Sequence, residues 1–235
     1  RWLSDWSSDV CSSDLAVIGC GGRGLLREAL QSRLAANADV VAVCDTWRPQ
    51  REKAVAQVKE MTGKEPLPFV RFQDVLSRKD VDAVLIATPD HLHCAMLIAA
   101  VKAGKDVYIE KPLAMTMEEL NEAVDVVKAS GRVVQVGTQI RSLPQAVAAR
   151  RFVAAGGLGK CLKAEQSRNA YQPYWWPRGQ VPVEERDVDW DSFLLNRPRR
   201  PFNANLYAGW YGHREFSRGG HRSEEHTSEL QSLSH

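Results

Sequence analysis

The sequence has no apolar run near the roughly 18 residues that a membrane-spanning helix needs. Its longest candidate, residues 94–101, is short and falls inside a helical pattern. Paired cysteines are missing as well. The five cysteines, Cys11, Cys20, Cys44, Cys94 and Cys161, include no Cys-x-x-Cys spacing, which excludes a disulfide scaffold and points to a reduced, cytoplasmic setting. Neither charge sign dominates: 31 Lys and Arg stand against 29 Asp and Glu, a formal net charge of +2 over 235 residues. Nucleic acid and a membrane surface are therefore not the partners to expect. Internal repeats and low-complexity tracts are absent. Aromatic residues are only 8% of the chain, yet 44% is hydrophobic and 26% charged, a balance that collagen-like and disordered chains do not have. The length is enough for a sizeable core.

Two stretches lack periodicity of any kind. Residues 1–15 show neither a helical nor a strand pattern, and they lack the basic start and apolar stretch of a signal peptide. Residues 222–235 are equally unpatterned. Residues 222–232 can be written as a DNA word whose reverse complement encodes residues 5–15 one for one. Both ends thus look like a single sequencing adapter translated on either side of an insert, and 1–15 and 222–235 are expected to be non-native. Setting them aside removes two arginines and six acids. What remains, 16–221, carries 29 basic and 23 acidic side chains, a net +6, and is expected to be a fragment without a natural start or stop. A modestly basic surface suits a phosphate-bearing cofactor.

Within 16–221, nearly continuous apolar runs at 16–20, 40–44, 83–88, 107–110 and 133–137 read as buried strands. Helical patterns at 25–36, 50–61, 92–103 and 118–129 lie between them. The alternation predicts an α/β fold, a doubly wound parallel sheet of the Rossmann type. Thr116-Met-Glu-Glu119 reads as a capping box at a helix start. Beyond Gly137 the pattern changes: 144–155 suggests a helix ended by Gly156-Gly157, 160–166 a strand, and 171–211 is rich in proline, tryptophan and arginine. A boundary is expected near Leu143, with 16–143 a dinucleotide-binding domain and 144–221 the start of an incomplete α+β substrate domain.

Gly19-Cys-Gly21-Gly22-Arg23-Gly24 follows the first strand and precedes the first helix. The first glycine permits a tight turn, the second lets backbone approach a pyrophosphate, and the third allows close helix–strand packing. The helix start adds unsatisfied N–H groups and a positive dipole end. A second strand ends in Asp45, 21 residues past Gly24, where a carboxylate can accept from the ribose hydroxyls of NAD and would repel a 2′-phosphate. Arg48, next to Trp47, complicates the choice, because an arginine there could hold the phosphate of NADP, or could simply open a solvated helix. NAD is the expected cofactor, with NADP not excluded.

At this point a resemblance emerges. Ala87-Thr-Pro-Asp-His-Leu-His93, Ala103-Gly-Lys-Asp-Val-Tyr-Ile-Glu110-Lys111-Pro112-Leu and Val136-Gly-Thr-Gln139 resemble the Gfo/Idh/MocA family, the relatives of glucose–fructose oxidoreductase and inositol dehydrogenase. The likeness covers 16–139, and more loosely Val188-Asp-Trp-Asp-Ser-Phe-Leu, Arg200-Pro and Trp210. It implies an NAD(P)-dependent oxidoreductase acting on a carbinol group of a sugar, polyol or related small carbohydrate. Thr88 and Pro89 would border the cofactor ribose, and Glu110 would approach the nicotinamide ribose. Lys111 would be catalytic and face substrate and cofactor. Pro112 would follow a cis peptide, Gln139 would lie near the nicotinamide, and Arg141 at the substrate mouth. The full-length parent is expected to be a homo-oligomer. One departure matters: the family's catalytic histidine stands in Asp-x-x-x-His, whereas His221 follows Ser217 at that spacing, so the motif is not met and the acid–base group is expected outside this sequence.

Other candidates carry less. His91 and His93, if helical, would project roughly 200° apart and could not share an ion, so no metal is expected. His93 matches the family position, with a structural hydrogen bond and cofactor-site work both open. Trp175 and Trp176 could stack on a sugar ring, and the stretch from Arg197 to Pro201 reads as a solvated loop. Two further readings stand beside the dehydrogenase: an NAD-dependent glycoside hydrolase of the same family, and a non-catalytic dinucleotide-binding sensor.

Overall fold

Six strands alternate with crossover helices, five of the strands lying at the apolar runs. They are β1 (Ser13–Ile18), α1 (Leu25–Ala36), β2 (Ala38–Cys44), α2 (Arg48–Thr62), β3 (Leu67–Phe69), α3 (Phe72–Leu76), β4 (Ala83–Ile86), α4 (His93–Lys102), β5 (Asp106–Glu110), α5 (Met117–Ser130) and β6 (Val134–Gly137). The computed structural model describes residues 13–22, 24–163 and 182–217. All strands are parallel, in the order β3-β2-β1-β4-β5-β6. The chain winds outward from β1 in one direction and then from β4 in the other, so the order reverses between these two strands. The expected doubly wound Rossmann sheet is what forms.

The alternation of strand side chains builds two core layers. Ala16, Ile18, Ala42, Cys44, Val84, Ile86, Val107 and Ile109 face α3, α4 and α5 through Val75, Leu97, Ala100 and Ala123. Leu15, Val17, Val40, Val43, Ala83, Leu85 and Tyr108 face α1 and α2 through Leu25, Leu26, Leu30, Ala54 and Val58. A register shift between Leu15 and Ala16 lets Val40 and Val43 share a face although they are three residues apart. Each such buried aliphatic side chain contributes about 1.5–3 kcal/mol by leaving water.

Register places the strand ends together. Ile18 pairs with Cys44 and Ile86, and Ile86 with Ile109. The next residues, Gly19, Asp45, Ala87 and Glu110, therefore come out along one edge, at the reversal of strand order where open parallel sheets bind ligands.

Several boundaries differ from the periodicity. β1 runs Ser13–Ile18 rather than 16–20, because Gly19 turns the chain, and the strand takes in three residues of the stretch set aside above. β3 and α3, three and five residues long, are too short to carry a period. Thr116 Oγ1 accepts from Glu119 N at 3.2 Å, as the capping box requires, but the Glu119 carboxylate answers to Met115 N at 3.1 Å. Helix α6 (Pro144–Ala154) follows β6, and residues 160–163 pair with no strand among the described residues. Residues 182–217 fold into α7 (Trp190–Leu194), α8 (Ala204–Ala208) and two 3-10 turns, Glu185–Asp187 and Trp210–Gly212. Phe193, Leu194 and Phe216 form a small core of their own. No helix among the described residues is long and apolar enough to cross a membrane.

Candidate functional site

A cleft of about 850 Å³ opens at the carboxyl edge of the sheet, within the size range of small-molecule and cofactor sites. Its floor is the turn after β1. Gly19 has φ +86°, and a Cβ there would stand 2.5 Å from the Ala87 carbonyl oxygen, so only glycine fits between the ends of β1 and β4. Gly21 and Gly22 line the cleft, and a Cβ on either would meet nothing within 4 Å. They keep the backbone bare toward open space. Gly24 (φ +77°) opens α1 without a side-chain cap, leaving the first-turn N–H groups without a side-chain acceptor. Together these features fit a pyrophosphate at a helix start. Arg23 lies outside the described residues.

Asp45 holds this turn in place. Its carboxylate accepts from Cys20 N at 2.9 Å and Trp47 N at 3.0 Å. Burial pushes the carboxyl above its ordinary value, against the lowering by those two N–H bonds and by Arg51. Gln50 Nε2 donates to the Cys20 carbonyl at 2.5 Å from the other side. The carboxylate also lines the cleft. Arg48 does not line it. Its Nε and Nη2 donate to Asp187 Oδ1 at 3.0 and 2.5 Å.

The opposite wall comes from the turns after β4 and β5, where Thr88, Pro89, Asp90, Glu110 and Lys111 line the cleft. His93 stands behind this wall, fully buried. Its Nε2 meets the Thr88 carbonyl at 2.9 Å and its Nδ1 the Pro112 carbonyl at 2.6 Å. The ring thus braces one turn against the other, the structural role that the sequence left open. The Lys111–Pro112 peptide is cis. Gln139 also stands behind the wall, donating to Tyr108 Oη at 2.9 Å and to Glu110 Oε1. Arg141 is exposed on the turn after β6, outside the cleft lining. Trp175 and Trp176 lie outside the described residues. Gly19, Gly21, Gly22, Asp45, Thr88, Pro89, Glu110 and Lys111 are therefore brought together, while Gly24, Arg48, His93, Pro112, Gln139 and Arg141 are not among the lining residues.

A third wall went unread in the sequence. Val183, Ser192, Phe193, Tyr207, Trp210 and Tyr211 close the cleft from residues 182–217. The contacts that seat them are specific. Ser217 Oγ donates to Asp90 Oδ2 at 2.7 Å, His91 Nε2 meets the Phe193 carbonyl at 2.7 Å, and the His91 ring packs edge-on to Phe193 and Phe216. Burial pushes the Asp90 carboxyl up and draws the His91 imidazole down to about 4. Tyr207 Oη and Thr46 Oγ1 are 3.1 Å apart, and burial raises the phenol further above its ordinary value. Such aromatic residues at irregular intervals give no periodic signal; the hints were a stretch rich in proline, tryptophan and arginine and the loose family likeness at residues 188–194 and Trp210. Among the described residues no three His, Cys, Asp or Glu side chains gather as a metal site.

Residues 14–138 match the family model described as an oxidoreductase family with an NAD-binding Rossmann fold. An inositol 2-dehydrogenase/D-chiro-inositol 3-dehydrogenase of Lactiplantibacillus plantarum is 28% identical over 77% of this chain and 52% of its own length. A glycosyl hydrolase family 109 protein of a Shewanella species is 28% identical over 82% of this chain and 41% of its own. The crystal structure of a myo-inositol 2-dehydrogenase from Lactobacillus plantarum superposes with a TM-score of 0.56 at 27% identity, covering 63% of this chain and 43% of that one. The chain spans about half the length of the curated relatives it matches.

Proposed function

The chain belongs to the Gfo/Idh/MocA oxidoreductase family, with an NAD-binding Rossmann fold over residues 14–138, and on that premise we propose that it serves oxidation of a secondary alcohol in a sugar, polyol or related small carbohydrate. The carrying observation is that one cleft joins the glycine turn and Asp45 on one side to Glu110 and Lys111 on the other. NAD, when bound, supplies the acceptor for the hydride. Binding, orientation and charge stabilisation fall to the residues of the cleft. Gly21 and Gly22 leave room for the pyrophosphate at the start of α1, and Asp45 accepts from the adenosine ribose. Thr88, Pro89 and Glu110 border the second ribose, with Gln139 bracing Glu110 from behind. Lys111 is the catalytic residue. Its ammonium donates to the reacting oxygen and stabilises the negative charge that develops there as the hydroxyl proton passes to a base outside this set of residues. Arg141, exposed on the turn after β6, is the residue assigned to substrate. The buried free thiols of Cys20, Cys44 and Cys94 suit a reducing cytoplasm.

NADH titration of the whole chain, followed by nicotinamide fluorescence, tests the reading. Saturable binding is expected, and no binding at millimolar NADH overturns it. Asp45→Ala should weaken NADH about tenfold, the loss of one hydrogen bond to a charged group; an unchanged affinity removes Asp45 from the ribose. Likeness to the family 109 glycosyl hydrolase favours a second reading, in which a carbon is oxidised and re-reduced around an elimination. Sugar release with no net NADH would mark it.

A further inference from the structure

The loop that follows Asp45 is clasped by the segment 187–207. Trp47 and Val188 form an antiparallel bridge, Asp189 N donates to the Thr46 carbonyl at 3.0 Å, and the Tyr207 and Thr46 hydroxyls are 3.1 Å apart. On the outer side of that clasp the Arg48 guanidinium is held by Asp187 at 3.0 and 2.5 Å. The Asp187 side chain is only 13% exposed, whereas that of Arg48 is 52% exposed, so the carboxylate is the fixed partner and the guanidinium the one with room to move. Arg51, the next cation along, donates to the Asp45 carbonyl at 2.7 Å. Both arginines in the first turns of α2 are thus committed to acceptors within the protein, three and six residues past the carboxylate that selects ribose hydroxyls.

We propose that Asp187 is a specificity-determining residue: by holding Arg48 it withholds the cation that a ribose 2′-phosphate would need, and so keeps the cleft selective for NAD over NADP. The proposal rests on the dinucleotide reading given above. An arginine just beyond the ribose-binding carboxylate is the group that accommodates a 2′-phosphate, and a guanidinium already forked onto a carboxylate must break two charge-assisted hydrogen bonds before it can do so. Asp45 repels the phosphate, and Asp187 removes its counter-charge. Cofactor choice is thus shared between the end of β2 and a segment about 140 residues further along the chain.

The test is titration of the whole chain with NADH and with NADPH in four forms: unaltered, Asp187→Asn, Arg48→Ala and the double variant. The asparagine keeps the shape of Asp187 but gives up its charge. NADPH affinity should rise about tenfold in Asp187→Asn, the worth of one freed charge-assisted contact, with NADH changed less than about twofold. The gain should vanish in the double variant. An unchanged NADPH-to-NADH ratio in Asp187→Asn overturns the proposal, as does a gain that survives without Arg48. Loss of NADH binding in Asp187→Asn would make the pair a brace for the loop and also overturns it. Failure of the unaltered chain to bind either cofactor is a different result, and defeats the dinucleotide reading itself.

Discussion

The wall of the cleft made by strand ends and the wall made by residues 182–217 enclose the same volume, yet different forces hold them. Gly19, Asp45, Thr88 and Glu110 are delivered by four parallel strands in register, backed by two continuous aliphatic layers. Phe193, Tyr207 and Trp210 are delivered by two five-residue helices, a 3-10 turn and a core of three buried residues. The second wall is seated by buried polar groups, Asp90 with Ser217 and His91 with the Phe193 carbonyl. A sheet built this way tolerates the loss of one contact because many neighbours share the load. The aromatic wall depends on a few contacts, each of which counts.

The comparison breaks first in the aliphatic layers. Leu97 on α4 is 1% exposed between the sheet and α5. Leu97→Ala should lower the global unfolding free energy by about 2–5 kcal/mol, since the cavity adds to the lost transfer energy. Urea denaturation measures it. A loss below about 1 kcal/mol would mean that this layer collapses around the gap and is not the rigid support assumed for the strand ends.

Acid should strike the second wall at His91. Burial draws its imidazole down to about 4, with the charges of Arg197 and His93 acting in the same direction and the Phe193 and Phe216 backbone contacts opposing. An unfolded histidine titrates near 6.5. Between these values the unfolded chain binds the proton and the folded chain does not, so stability is full above about pH 6.5 and falls as pH drops toward 4. The loss is on the order of 3 kcal/mol. Asp90 works the other way at the low end of this window, because its raised carboxyl takes up a proton in the folded state first. Stability measured from pH 7 to 4.5 should therefore slope downward, and His91→Gln should flatten it. A slope unchanged by that substitution would assign acid sensitivity elsewhere.

These two regions were also unequally legible. The strands of the first wall announce themselves as near-continuous apolar runs, and each run ends on a residue with a chemical reason to be there: a glycine that must turn, a carboxylate, a Glu-Lys-Pro. Parallel register then converts four separate strand ends into one edge. The brace made by His93 was not legible, because the two carbonyls it meets, those of Thr88 and Pro112, become neighbours only once β4 and β5 pair. Nor was the hold of Asp187 on Arg48, which joins residues 139 apart. Segment 182–217 has tryptophan and tyrosine at irregular spacing, so nothing local says that it turns back over the cleft. Arg48 illustrates the limit best: its type and position fit a phosphate, and only its partner's place in the fold shows the guanidinium already engaged.

The smallest global effect is expected where the second wall is anchored. Phe216 is fully buried against Phe193 and His91, and truncation at such a site would cost 3–5 kcal/mol in a core that unfolds as one unit. The segment, however, touches the sheet through few apolar contacts, and regions of that kind open on their own before the whole unfolds. Phe216→Ala should thus shift the urea midpoint of the sheet by less than about 1 kcal/mol while making residues 182–217 cut far faster by a protease. NADH affinity should fall with it, because Tyr207 and Trp210 line the cleft. If instead the midpoint drops by the full core value and cutting spreads evenly along the chain, the two walls are a single cooperative unit. The cleft's aromatic side would then owe its position to the same packing that aligns the strand ends.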